Sequence, residues 1–385
     1  MGRLIYGKWT DSDESYRQGV AFVRATPAFR SFITADGSSP FPPEAGRYHL
    51  YVALPCPWCH RTMIFHTLKR LQGVVSISMV DPLMLEGGWR FKKPDPITGA
   101  RFVHQLYTLV DPQYTGRVSV PVLWDKKTGT IVNNESSDII RMFNSAFDDI
   151  TGEHTDYYPA ARRPEIDCIN KRVYETLNNG VYRCGLATKQ QVYEQAVAEL
   201  FDTLDWLETR LGKNRYLLGE TITEADWRLF PTLFRFDAIY YSLFKCNLHH
   251  IYEQPALWSY TRGLCQIPGI AATCDIDQCK LHYFGSLRMV NPSGIIPEGP
   301  NLDLASHKGD ISLPRPHSIP LEIATRALDQ TSASASLAVT SLPSFPYSLR
   351  SPNASMRTDW SMRPTLTGAK PLAAINFATA PPASG

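Results

Sequence analysis

The chain has 385 residues, of which 43% are hydrophobic and 20% charged, with a formal net charge of +2. That composition suits a soluble globular protein with a substantial core and room for about two domains. Near-neutral charge without a long basic block argues against nucleic acid or an anionic membrane as partner, and no apolar run approaches the length of a membrane span.

Residues 1–46 read as an N-terminal extension. The opening MGRLIYGKWTDSDESYRQG has no apolar core of signal-peptide length and soon meets Asp11, Asp13 and Glu14, while Tyr6 stands where a myristoylation signal needs Ser or Thr. A cytoplasmic location is therefore expected. In residues 47–55 Tyr48, Leu50, Val52 and Leu54 alternate against the other face, the period of a strand. Ile64, Leu68 and Leu71 then follow at helical spacing, with Gly73 as a cap, and VVSISMV is the next strand. Strand, Cys-x-x-Cys, helix and strand in that order form a βαβ unit of thioredoxin type. SVPVLWD and GTIVN flank a turn at residues 126–129, and a helix is expected from about Ser136 to Phe147. This thioredoxin-like α/β domain is expected to span 47–150.

From about Pro164 to Gly285 the pattern becomes successive helices, for example Val192, Ala196, Leu200, Leu204 and Leu207 along one face. An all-helical domain over 164–300 is expected. Thr223 to Asp226 has the form of a capping box, which assigns Asp226 to capping rather than catalysis. Residues 311–385 are rich in Ser, Pro, Ala and Thr without periodicity, a composition expected of a disordered tail. The Asn353-Ala354-Ser355 acceptor pattern there carries no meaning without export.

Eight cysteines in a chain this long do not make a disulfide scaffold. Cys168, Cys184, Cys246 and Cys265 read as buried thiols. Cys56 and Cys59 differ, because the first thiol of such a pair sits at a helix start where free amides and the helix dipole favour the thiolate. Pro57 suits the first helical turn, and Cys59 is the candidate resolving thiol. Cys56-Pro57-Trp58-Cys59-His60 also matches a haem-attachment pattern, but that usually accompanies export. A zinc site drawing on Cys274, Cys279 or His282 has no common spacing, and no metal is expected. Val120-Pro121 occupies the place of a cis-proline opposite the thiol. Glu135-Ser136 sits at a helix start, where amides and a hydroxyl can hold a carboxylate and Glu135 an ammonium group, with Ser136 also readable as the N-cap. A γ-glutamyl group carries both charges.

RYHLYVALPCPWCHRT, GGWRF, GRVSVPVLWDKKTGTIVNNES, LNNGVYRCG, TEADWRLFPTLFRFDAIY, FKCNL and KLHYFG together resemble the glutathionyl-hydroquinone reductases, the Xi class of glutathione transferases, from about Phe29 to Pro300. The resemblance implies a thioredoxin-like domain followed by an all-α glutathione-transferase domain, a homodimer, and glutathione as co-substrate. It implies reductive removal of glutathione from glutathionyl-hydroquinones through a Cys56 mixed disulfide, released by a second glutathione. Trp89 would pack on glutathione, Arg117, Val118, Ser119 and Val120 would hold its backbone and glycyl end, and Glu135 and Ser136 its γ-glutamyl group. Tyr182 would donate and accept the proton, while Tyr240 and Tyr283 would lower the cysteine pKa. The family usually carries a small residue where this chain has Cys59, so a Cys56–Cys59 disulfide competing with glutathione would add dithiol character. Two other readings are an omega-like thioltransferase or dehydroascorbate reductase using the same cysteine, and a binding scaffold without turnover.

Overall fold

The computed structural model describes residues 2–11, 17–18, 21–22, 24–302 and 304. The expected disorder of the tail lies outside the described residues. Strands β1 (Arg3–Ile5) and β2 (Lys8–Thr10) and the short pair β3 (Arg17–Gln18) and β4 (Ala21–Phe22) precede the central sheet. That sheet contains β5 (Tyr48–Val52), β6 (Ser76–Met79), β8 (Val122–Asp125) and β9 (Thr130–Asn133), whereas β7 (Gly116–Arg117) pairs with β1. The order is β6-β5-β8-β9, with β5 and β6 parallel and the other neighbours antiparallel. A parallel pair needs a crossover, and helix α1 (Pro57–Leu68) supplies it.

The alternation along β5 marks no solvent face: all five of its residues are buried. The strand is interior to the sheet and both faces are covered, so His49 and Tyr51 go inside, Tyr51 donating to Asp95 at 2.8 Å. The helix after the cysteines also ends earlier than expected, at Leu68 rather than near Gly73. The Leu71 amide donates to the His66 carbonyl and the Arg70 amide to Thr67, with Arg70 at φ 52°, a Schellman turn whose left-handed position is an arginine. Between β8 and β9, the Asp125 carboxylate accepts from the Lys127 amide and the Thr128 hydroxyl and pairs with both arms of the Arg47 fork at 2.9 and 2.6 Å.

The remaining helices are α2 (Val103–Val110), α3 (Ser136–Ser145), α4 (Asp148–Thr151), α5 (Arg163–Val173), α6 (Gly180–Gly185), α7 (Gln190–Leu211), α8 (Glu224–Arg235), α9 (Tyr241–Leu243), α10 (Pro255–Cys265) and α11 (Ile276–Ser286). Helix α1 packs between α3 and α8 and is therefore buried nearly all round, including Arg61, Thr62 and His66. Asp226 takes its expected place at the start of α8, accepting from the Thr223 amide at 2.7 Å and its hydroxyl at 3.0 Å. Two π turns, Tyr174–Asn178 and Phe236–Tyr240, join α5 to α6 and α8 to α9. Each inserts an extra residue into a helical run just before or at a tyrosine of the site, Tyr182 or Tyr240.

Candidate active site

The chain turns from β5 into α1 through Leu54 and Pro55, and this turn places Cys56 as the N-cap of α1 with Pro57 as the first helical residue. Cys56 Sγ lies 3.8 Å from the Val120 carbonyl, and the Val120–Pro121 peptide is cis, as expected. A cavity of about 290 Å³ opens over the thiol. Its walls bring together Cys56, Trp89, the segment from Arg117 to Val120, Glu135, Ser136, Tyr182 and Tyr283. Cys59 and Tyr240, both fully buried, stand behind that wall rather than on it.

Burial works against a thiolate at Cys56. The Cys59 thiol, the backbone amides of Cys59 and Trp58, and the Arg235 guanidinium favour it, and together they bring the thiol down to about 7. Cys59, by burial first and then by giving its hydrogen to Cys56, is pushed well up. Both are free thiols. Tyr182 and Tyr283 share a hydrogen bond of 2.6 Å, and Tyr240 and Tyr283 one of 3.0 Å. Burial raises all three phenols, which keeps them protonated and able to donate.

The helix start that carries Glu135 differs in one respect from expectation. The N-cap is Glu135, not Ser136: its Oε1 accepts from the Ser137 amide at 2.9 Å, so the longer carboxylate does the capping and Ser136 is the first helical residue, buried at the cavity wall. Ser119 is braced from below by Tyr107, whose hydroxyl donates to the Ser119 carbonyl at 2.9 Å. Trp89 stacks on His282, with ring centroids 4.8 Å apart.

A thiol near neutrality, a helix start with an acidic residue, and an apolar aromatic flank define one continuous site. The family model "Glutathione S-transferase, N-terminal domain" matches residues 55–146, and "Glutathione S-transferase, C-terminal domain" matches 190–262. The chain is 51% identical over 306 residues to the glutathionyl-hydroquinone reductase PcpF of Sphingobium chlorophenolicum, a match covering 78% of this chain and 96% of the relative. The chain belongs to the glutathionyl-hydroquinone reductases.

The structures of other family members agree with that membership. The glutathione-bound structure of YqjG from Escherichia coli superposes with a TM-score of 0.70 at 49% identity, covering 72% of this chain and 94% of that one. A Xi class glutathione transferase from Natrialba magadii gives a TM-score of 0.75 at 42% identity, covering 80% and 96%. Like its relatives, the protein is a glutathione-dependent enzyme. Among the described residues no helix is long and apolar enough to cross a membrane.

Within this reductase fold the other cysteines sort by position. Cys184, Cys246 and Cys265 are buried as expected, but Cys168 is exposed, because Ile166, Ile169, Asn170 and Val173 take the core face of α5 and leave it outside. Cys274, Cys279 and His282, weighed for zinc, turn to separate partners: Cys274 to Cys265 at 4.0 Å, Cys279 to the Pro55 carbonyl at 3.9 Å, and His282 to the Pro82 carbonyl at 2.9 Å. Sequence reasoning missed Arg235 and Tyr107. Arg235 does leave a signal, a lone cation in the apolar run FPTLFRF; Tyr107 leaves none, since an apolar helix such as α2 commonly carries a tyrosine.

Proposed function

We propose that this protein reduces S-glutathionyl-hydroquinones to hydroquinones with glutathione as reductant, Cys56 being the nucleophile. The observation that carries the reading is a thiol held near 7 under a cavity whose one flank is polar and whose other is aromatic. The polar flank, with Glu135, Ser136 and the start of α3, suits the γ-glutamyl end, and the segment from Arg117 to Val120 suits the glycyl end. Trp89 supplies a flat surface for the peptide. The aromatic flank suits a hydroquinone ring.

In the first half-reaction the Cys56 thiolate attacks the glutathionyl sulfur. A sulfur–sulfur bond forms, the sulfur–aryl bond breaks, and its electron pair on the ring carbon takes a proton from Tyr182. Tyr283 and Tyr240 stand in series behind Tyr182 to restore that proton. In the second half-reaction a glutathione thiolate attacks the glutathionyl sulfur of the mixed disulfide, regenerating Cys56 and releasing oxidised glutathione. The ring carbon is reduced and two glutathione sulfurs end as one disulfide. Cys59 is a poor resolving thiol on this account, because burial and its bond to Cys56 keep it protonated; it serves as donor to the thiolate.

The reading extends to a cytoplasmic homodimer that uses no metal, as the family resemblance implies. Names of relatives favour the reductase over the omega-like thioltransferase and the scaffold. Incubating the enzyme with a glutathionyl-hydroquinone in the absence of free glutathione tests the chemistry. One glutathionyl adduct on Cys56 and one equivalent of free hydroquinone are expected; hydroquinone release without an adduct would overturn the covalent route.

A further inference from the structure

Arg235 closes α8, and its side chain is fully buried behind the turn that carries Cys56. Its Nε donates to the Pro55 carbonyl at 3.0 Å and its Nη2 to the Leu54 carbonyl at 3.2 Å, the two residues just before the nucleophile. Its Nη1 reaches the Pro231 carbonyl at 2.9 Å and His60 Nδ1 at 3.0 Å. A guanidinium only donates, so His60 Nδ1 accepts and its hydrogen sits on Nε2. From there it points to Thr273 Oγ1 at 2.9 Å, and Thr273 donates in turn to the Ile270 carbonyl at 2.7 Å. The directions of this chain are forced, and they fix His60 as a neutral imidazole, in line with its burial.

Every acceptor of Arg235 is therefore uncharged. The acidic groups that feel its charge most are thiols and phenols, namely Cys279, Tyr240, Tyr283 and Cys56, and the Cys59 and Cys274 thiols feel it too. A buried cation is costly unless an anion lies close. Burial drives Cys279 up to about 11 and both phenols well up, so they stay neutral. Cys59 and Tyr182 also remain protonated, and His282, held down to about 4, is uncharged. Of the thiols and phenols among these neighbours, only Cys56 is brought down.

We propose that Arg235 is the positioning residue of the nucleophile: its planar fork clamps the Leu54–Pro55 turn from behind, and the Cys56 thiolate is the anion that balances its charge. The inference rests on Cys56 as nucleophile but not on the identity of the substrate.

The test therefore uses no hydroquinone. The rate of iodoacetamide alkylation at Cys56, read by fragment mass spectrometry, is followed against pH in the wild type, Arg235→Met and Arg235→Lys. Arg235→Met should move the midpoint up by about one unit or more, a roughly tenfold loss of rate below it. Arg235→Lys keeps a charge but cannot span the two carbonyls and the imidazole, and should fall between, by at least about half a unit. Thermal melts identify variants that fold; should Arg235→Met fail to fold, Arg235→Lys decides. A role confined to packing lowers the melting temperature without moving the midpoint, so any folded variant with the wild-type midpoint overturns the proposal. A shifted midpoint in an enzyme that fails to turn over glutathionyl-hydroquinone would sustain the role of Arg235 while rejecting the proposed function.

Discussion

Burial and hydrogen bonding pull Cys56 in opposite directions, and the donors within one helical turn of it act together with the Arg235 guanidinium to favour the thiolate. The Cys59 thiol is one of them, so its replacement tests the balance directly. Cys59→Ala removes the donor and should raise the midpoint of the pH dependence of kcat/KM above the value near 7, whereas Cys59→Ser retains a donor and should leave it close to wild type. The sign follows from the thiolate being the reactive form: activity rises with pH through the midpoint and falls away below it. An alanine variant with an unchanged midpoint would remove Cys59 from the account. At this scale Cys56 and Glu135 were legible from their place at helix starts, while Trp89 and Tyr182 came only with the family resemblance. The signal that Arg235 leaves is ambiguous, because an arginine flanked by phenylalanines reads equally as a surface residue with a buried stem. Its importance comes from contacts 175 to 181 positions away in the chain, with His60, Pro55 and Leu54.

Among the elements, the βαβ unit and the run of helices followed from periodicity, while the two-sided burial of β5 did not. Alternation records the two faces of a strand, but it cannot tell whether the second face is covered by helix or by water. The π turns before Tyr182 and at Tyr240 were equally hidden, because one inserted residue leaves no compositional mark. The β8–β9 hairpin offers a test of element stability. The Arg47 and Asp125 side chains are 5% and 0% exposed and pair in a bidentate fork. Asp125→Ala strands the Arg47 charge and removes the acceptor for two turn donors, and should cost about 3–5 kcal/mol of unfolding free energy. Arg47→Met combined with Asp125→Leu leaves no buried charge and should recover much of it. Denaturant melts of the wild type and the two variants decide; a loss in Asp125→Ala below about 1 kcal/mol would show that the pair is not buried as described.

Across the described residues, the sheet and α1 present the thiol, while α6, the π turn Phe236–Tyr240 and α11 bring the phenols and α8 the guanidinium to it. On the proposed mechanism neither set is a site without the other: the helix start at Glu135 would hold the peptide end, and Tyr182 would protonate the leaving carbon. The sequence pattern anticipated the strand and helix that carry the thiol, and the family resemblance implied the phenols, yet the capping role of Glu135 and the exposure of Cys168 showed only in the structure. The measurement that tests the central claim most directly is turnover of a glutathionyl-hydroquinone to hydroquinone and oxidised glutathione by the wild type, Cys56→Ser and Cys59→Ser. The account predicts turnover by the wild type, a loss of at least about a thousandfold in Cys56→Ser, and retention of most of the activity in Cys59→Ser. Comparable turnover by Cys56→Ser, or a wild type that reduces dehydroascorbate or a small mixed disulfide but not the hydroquinone conjugate, would contradict it.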